Sequence, residues 1–411
     1  MHQASSLFIG KINIAKKPKG LKQDGYNRRR QKQRKRTILI GTWNIQGIRN
    51  KMVDILEEIK RVNQDIIILT ETKKKGCGSE VQGDYLHFYS GVEKHKRAQR
   101  GVSILIKKNF KRCISNWEAI NENIIKMDLS MFGRKVTMVG VYGVSEDERP
   151  QKKDEFYETL NNVINEIGNS REIVLAGDWN GRTGKQNGNK VVGPFGEETL
   201  NDNGERIIEL CEQYLLKITN GFYEHKEIHK YTRYQDTLQQ KSIIDYIIVR
   251  QKTGMIVQDV RAFRGPNCGS DHYLVNSKIW FPFHKNTEDN SNKNDSLEAS
   301  ERVIIPVYNV QSLNDDSTVY LYQQRLDEKL VECNFETTDK QFQYIVENMR
   351  MAAMEALGEY QIEHKKPYYW NKNIKNYIEE KRDKYLKWLN SKSVTDKMEY
   401  RKAQAKVRKM V

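Results

Sequence analysis

The chain has few cysteines, a modest apolar fraction and no long hydrophobic run. Its five cysteines, Cys77, Cys113, Cys211, Cys268 and Cys333, are odd in number, and no two stand at CxxC spacing. That argues against a disulfide framework or a structural zinc site and points to a reducing compartment. No stretch approaches about 18 consecutive apolar residues, so no membrane span is expected. The opening segment, Met1 to Ile9, is too short and too weakly apolar to read as a signal peptide. Hydrophobic residues make up 37% of the 411 and charged residues 30%, which fills a core over part of the length only.

Positive charge is abundant but unevenly placed. The formal net charge is +16, and residues 1–37 alone carry 12 Lys/Arg against one Asp. The run from Arg28 to Arg36 and the earlier cluster at Lys16, Lys17 and Lys19 form a solvated arm with nothing to bury. Such an arm serves as a nuclear-import signal, a nucleic-acid contact or both.

From Thr37 the pattern alternates. Strands are expected at 37–43, 65–71, 85–92, 101–107, 122–131 and 134–143, with Phe132-Gly133-Arg134 as a hairpin turn. A helix over 52–62 places Val53, Leu56, Ile59 and Val62 on one side. A second round follows: a helix over 152–168, a strand over 172–178, and a helix over 202–216 capped by Asp202. Strands are expected near 217–223, 242–249, 255–264 and 272–280. Two sheets packed face to face with helices outside would bury all these faces. The expected division is a basic arm over 1–36, a catalytic domain over 37–282, a polar linker over 283–300 and a helical basic region over 301–411. The last reads as a small helical appendage with an apolar stripe. A basic–aromatic surface is the less favoured view of it.

The chemistry gathers where apolar strands stop. Ile38-Leu39-Ile40 leads into Trp43-Asn44, Ile66-Ile67-Ile68-Leu69 into Glu71, and Ile173-Val174-Leu175-Ala176 into Asp178 and Asn180. Gly269-Ser270-Asp271-His272 adds an adjacent acid and base. Each group alone is an ordinary solvated strand end or an Asx turn. Together they supply what cleavage of a phosphodiester needs: charge masking, an aligned water and a stabilised leaving group. Glu71 is the first candidate for a hard cation, which prefers a few carboxylates and retained water. Asp178 and Asn180, two apart on an extended segment, share a face and can hold one water. Asp245 sits inside an apolar strand and needs a partner; His272 is the one expected, with Asp245 orienting the ring. Tyr142 can donate to a phosphate. The residues leave acid and base roles open between Asp178 and His272.

Taken in order, these landmarks resemble the endonuclease/exonuclease/phosphatase superfamily over residues 37–282. Within it, three stretches are most similar to the endonuclease domains of non-LTR (LINE-type) retrotransposons and the craniofacial-development-protein-like group. They are Gly177-Asp178-Trp179-Asn180-Gly181-Arg182-Thr183-Gly184, the segment from Asn201 to Cys211, and Thr219-Asn220-Gly221-Phe222-Tyr223 followed by His229-Lys230-Tyr231-Thr232 and Ile244-Asp245-Tyr246-Ile247. The resemblance implies an α/β fold, a four-layered α-β-β-α sandwich of DNase type, followed here by a small helical C-terminal region. It places Glu71, Asn44 and Asp271 at a metal, Mg²⁺ with Mn²⁺ as the alternative. It places Asp178 and Asn180 at the water or leaving group, and His272, Asp245 and Tyr142 at the phosphate.

The implied activity is a metal-dependent DNA nick leaving a 3′-hydroxyl that primes reverse transcription. The implied partners are DNA and element RNA, in the nucleus and away from membranes. The alternatives are a phosphatase or phosphodiesterase acting on inositol or lipid phosphates, and a domesticated, non-catalytic chromatin or DNA-binding protein. The chain departs from the family pattern at Gln46, where Asp is common, at Arg233, where Trp is usual, and after Tyr142, where Gly143-Val144-Ser145 lacks the common Pro.

Overall fold

The structure is a computed structural model that describes residues 36–282, 310–331, 337–357 and 372–410. The basic arm up to residue 35, the expected linker at 283–300, and Cys333, Pro367 and Trp370 lie outside the described residues. Contacts divide the chain into two compact units, one of residues 1–285 with 369–411, the other of 286–368.

In chain order the first unit holds β1 (Thr37–Asn44), α1 (Met52–Arg61), β2 (Ile66–Thr70), β3 (Cys77–Gln82), β4 (Tyr85–Ser90), β5 (Val102–Lys107), β6 (Ile114–Asn121), β7 (Ile124–Met131), β8 (Arg134–Tyr142), α2 (Pro150–Ile167), β9 (Glu172–Asp178) and α3 (Asp202–Gln213). It continues with β10 (Leu216–Ile218), β11 (Arg233–Gln235), β12 (Gln240–Ser242), β13 (Asp245–Arg250), β14 (Ile256–Phe263) and β15 (Leu274–Trp280). Seven strands form one sheet in the order β14-β15-β1-β2-β5-β4-β3, and six form another in the order β10-β13-β9-β8-β7-β6.

The sheets pack face to face. Strand side chains alternate between faces, so Ile38, Ile40, Ile66, Ile68, Ile104 and Ile106 of the first sheet meet Ile125, Met127, Val136, Met138, Val174 and Ile247 of the second. The intervening residues face outward under helices. Ile67, Leu69 and Leu105 lie beneath Ile55 and Ile59 of α1. Val139 and Leu175 lie beneath Phe156, Leu160 and Ile164 of α2 and Ile207 and Leu210 of α3. This double burial explains why β2 runs Ile66-Ile67-Ile68-Leu69 without a break instead of alternating. It also makes the four layers α-β-β-α.

Local expectations hold with small differences. The β7–β8 turn uses Phe132 (φ 55°) and Gly133 (φ 75°), both left-handed, as a two-residue hairpin of that twist requires. The cap of α3 is Asn201, not Asp202: its side chain accepts from the Gly204 amide, and Asp202 pairs with Lys153 instead (2.8 Å). The strand expected over 217–223 stops at Ile218 and turns into a 3₁₀ segment, Thr219–Phe222. The edge strands β3 and β6, polar and half exposed, carry too little apolar pattern to be expected from sequence.

The first unit closes with an αα-hairpin from the far end of the chain. Its helices, α6 (Lys372–Ser391) and α7 (Val394–Met410), follow α4 (Asp316–Lys329) and α5 (Thr338–Leu357) of the second unit. Asp54 and Glu58 of α1 are buried, and the hairpin supplies their counter-charges. Lys381 Nζ lies 2.6 Å from Asp54 and Arg382 2.5 Å from Glu58. Burial pushes the Glu58 carboxyl up, and Arg382 opposes that shift. Tyr385 donates to the Arg264 carbonyl (3.0 Å), and the Tyr400 hydroxyl pairs with Asn267. In the second unit, Lys329 pairs with Glu355 (2.7 Å) and the Tyr344 hydroxyl donates to the Lys329 carbonyl (2.9 Å). Met349 and Met354 of α5 are exposed. No helix among the described residues is long and apolar enough to cross a membrane.

Candidate active site

Strand pairing assembles the site. Asp245 at the start of β13 sits opposite Asp178 at the end of β9. Tyr142 at the end of β8 is the parallel neighbour of Asp178 on the other side. In the facing sheet, Asn44 ends β1 beside Thr70 of β2, and Glu71 follows directly. Asp271 and His272 precede β15, where the Ser270 hydroxyl ties this loop to the Asn44 carbonyl (2.7 Å). Trp43 Nε1 donates to the His272 carbonyl (3.1 Å). All four polar strand ends read from the sequence therefore meet at one edge of the sandwich.

The sealed part is an acid–base cluster. His272 Nδ1 lies 2.9 Å from Asp245 Oδ2; next to a carboxylate that nitrogen is the donor. Nε2 then points between Asp178 Oδ2 (3.9 Å) and Asp271 Oδ1 (3.7 Å), beyond hydrogen-bond distance of either. Asn44 Nδ2 donates to Asp178 Oδ2 (2.8 Å), and the Asn180 amide donates to Asp178 Oδ1 (3.0 Å). Burial pushes the Asp178 carboxyl up to about 7, with Asp245 adding repulsion and His272 and Asn44 opposing. Burial alone would lower His272, but the carboxylates of Asp245 and Asp178 outweigh it and raise the imidazole to about 9. Burial, then Glu71 and Asp178, hold the Tyr142 phenol well above its usual range, so it stays a donor.

Asn180 differs from the expectation. It is left-handed (φ 50°), its backbone closes an Asx turn on Asp178, and its Nδ2 donates to the Gly143 carbonyl (3.0 Å). The two side chains thus do not lie side by side on an extended strand; Asn180 fixes the Asp178 carboxylate through its own amide.

The rim is ion-paired. Glu71, left-handed at φ 52°, lies 2.9 Å from the Lys73 ammonium. Asp271 is engaged on both oxygens, by Gln46 Nε2 (2.8 Å) and by Arg233 Nε (2.9 Å). In the sequence Gln46 and Arg233 stand out only as departures from a pattern. They are part of the site, yet they reach Asp271 across 225 and 38 residues of chain, so no local signal marks them.

Three buried ligand atoms, of Asp178, Asp245 and His272, lie within 4.8 Å of one another, a spacing that would fit an ion. Asp245 Oδ1 has no hydrogen-bond partner. The 2.9 Å bond between His272 and Asp245, however, commits Nδ1 to the carboxylate. A hard cation suits the Glu71 carboxylate better: it stands at the open rim with an ammonium already in the place of a cation, and the buried Asn44 beside it adds an amide oxygen that the Gln46 amide already engages (3.0 Å).

Residues 41–272 match the Endonuclease/Exonuclease/phosphatase family. Craniofacial development protein 2 of Bos taurus is 29% identical over 246 residues, which are 60% of this chain and 41% of that protein. The chain therefore spans about two fifths of that relative. Among solved structures, the 3′-5′ exonuclease NExo of Neisseria meningitidis is 17% identical with a TM-score of 0.45, covering 59% of this chain and 100% of that one. The endonuclease domain of TRAS1, a telomere-specific non-LTR retrotransposon, is 15% identical with a TM-score of 0.43, covering 60% and 99%.

Proposed function

From the premise that the chain belongs to the endonuclease/exonuclease/phosphatase family, we propose that it is a metal-dependent DNA endonuclease of retroelement origin. It nicks one strand and leaves a 3′-hydroxyl able to prime reverse transcription of element RNA. The observation that carries this reading is the sealed trio of Asp178, His272 and Asp245, with buried Asn44 beside it, next to the rim carboxylates Glu71 and Asp271.

In this reading Asp178, held at its two oxygens by Asn44 and Asn180, accepts a proton from the attacking water. Its raised pKa, about 7, makes it a useful base near neutrality. His272, kept cationic by Asp245, donates from Nε2 to a phosphate oxygen and stabilises the charge that develops there. The Tyr142 hydroxyl donates to the same phosphate. Glu71, with the Asn44 amide oxygen beside it, would hold Mg²⁺ or Mn²⁺, which would supply Lewis-acid masking of the phosphate charge. Asp271 orients Arg233 and Gln46 at the rim. The basic N-terminal arm supports a nuclear location and a DNA partner.

The test is nicking of supercoiled plasmid with Mg²⁺, with EDTA, and with Asp178→Ala and His272→Ala. Open-circle product that needs the metal and both side chains is expected. Folded, metal-loaded protein that leaves the plasmid supercoiled would remove the endonuclease reading and turn attention to phosphoinositides.

A further inference from the structure

Beside the catalytic rim, the C-terminal hairpin and the nuclease sheets enclose two adjoining cavities of about 240 and 180 Å³. They share Tyr234, Tyr273 and Lys392, and the larger reaches Gln46 and Asp271. Together they form one trough running from the reaction centre onto α6 and α7.

Charge in this trough is unbalanced. Five cations line it, Lys241, Arg264, Lys392, Lys397 and Arg401, against three carboxylates. Each carboxylate is already taken: Glu227 by Lys241 (3.3 Å), Asp236 by Lys397, and Asp271 by Arg233. Arg264, Lys392 and Arg401 are left with no carboxylate partner among the described residues. Burial lowers the Lys392 pKa, and Arg264 and Lys241 lower it further by repulsion.

The trough is also built to present its cations. Lys392 sits in the left-handed region (φ 54°) at the end of α6, where Gly or Asn is usual, and its amide bonds back to the Trp388 carbonyl (2.8 Å). The ring of Trp388 is stacked on Tyr400 (interplanar angle 7°) and lies under both Lys392 and Lys397, each 5.6 Å from its centroid. The hairpin lies against the catalytic loop. Gly269 has φ +77°, and a Cβ there would come within 2.2 Å of the Gln404 side chain.

We propose that this trough is a binding subsite for the phosphodiester backbone of the DNA flanking the cleaved phosphate, with Lys392, Arg264 and Arg401 contacting phosphate oxygens. The inference rests on the reading of DNA as substrate. It makes α6 and α7 part of the substrate-binding surface. Unpaired cations beside a phosphodiester-cleaving site gain most from an anion that is continuous with the reacting group.

The test is equilibrium binding of the full chain to a fluorescein-labelled DNA duplex by anisotropy, in EDTA and over a KCl series. Lys392→Asn removes the charge with a residue that tolerates the left-handed backbone, and Arg401→Gln removes an exposed charge on α7. Lys135→Gln is the control. It deletes an exposed Lys near the start of β8, the end of that strand away from Tyr142. Each trough variant should weaken binding severalfold and reduce the slope of log K against log salt by about 0.9 per lost phosphate contact. The control should leave both unchanged. Trough variants with wild-type circular dichroism that bind as the control does would overturn the proposal. If wild type nicks plasmid in that case, the nuclease reading stands and the subsite alone is lost. If wild type and variants behave as expected in binding but wild type cuts nothing, the subsite stands and the nuclease reading fails.

Discussion

The two sheets contribute unlike halves to one site. The six-stranded sheet supplies Asp178 and Asp245, which are 1% and 0% exposed. The seven-stranded sheet supplies Glu71 and Asp271, whose side chains are 20% and 25% exposed. In the sealed half, burial and then the Asp245 carboxylate raise the Asp178 pKa. In the open half, each acid has a cation within 2.9 Å. Burial without a full counter-charge raises a carboxyl's affinity for a proton, which suits Asp178 to proton transfer. His272 comes from the seven-stranded side but is buried against the other. It joins the two halves.

The largest effect that would break this comparison is at Asp178. Asp178→Asn should lower the nicking rate by about 10²- to 10⁴-fold and at the same time raise Tm at pH 8 by about 2–4 °C per kcal/mol gained. The sign follows from the shift. The folded-state pKa lies above the ordinary value of 3.8, so the wild-type fold loses stability as pH rises from 3.8 to about 7. The Tm difference should therefore close on acidification. An inactive variant with lower Tm at pH 8 would mean that the buried carboxylate is structural.

Glu71→Gln addresses the open half. Mg²⁺ affinity, measured by calorimetry on the folded protein, should fall by at least about 10-fold, the loss typical of groups one step further from an ion. Unchanged affinity would move the cation to the sealed trio. The smallest effect is on the pH profile of kcat/KM. It should rise as Asp178 loses its proton near 7 and fall as His272 loses its own near 9. Asp245, Asp178 and Asp271 face that imidazole, so Asp271→Asn should pull the upper limb down, and an unmoved limb would separate His272 from the rim.

Much of the core was legible because strand burial leaves a local mark. The aliphatic runs before Asn44, Glu71 and Asp178 become β1, β2 and β9, each ending at the site. The pairing of Asp245 with His272 was legible too, since an acid inside an apolar strand needs a partner. The expected cap Asp202 gives way to Asn201 because Asn and Asp are both good caps and stand side by side; the Asp202–Lys153 ion pair decides between them. Asp54 and Glu58, four apart on α1, look like a solvated face in sequence. They are buried because Lys381 and Arg382 arrive from more than 300 residues away.

The sequence by itself determined which residues end buried strands, how many layers their two-faced hydrophobicity demands, and which acids lack a local partner. These follow from periodicity and from the cost of burying charge, both properties of short stretches of chain. Only the tertiary structure decided that Arg233 and Gln46 hold Asp271, that Asn180 serves Asp178 through its backbone, and that α6 and α7 wall the trough beside the site. Those depend on charge meeting charge across long loops, and pairing at that range leaves no period in the sequence.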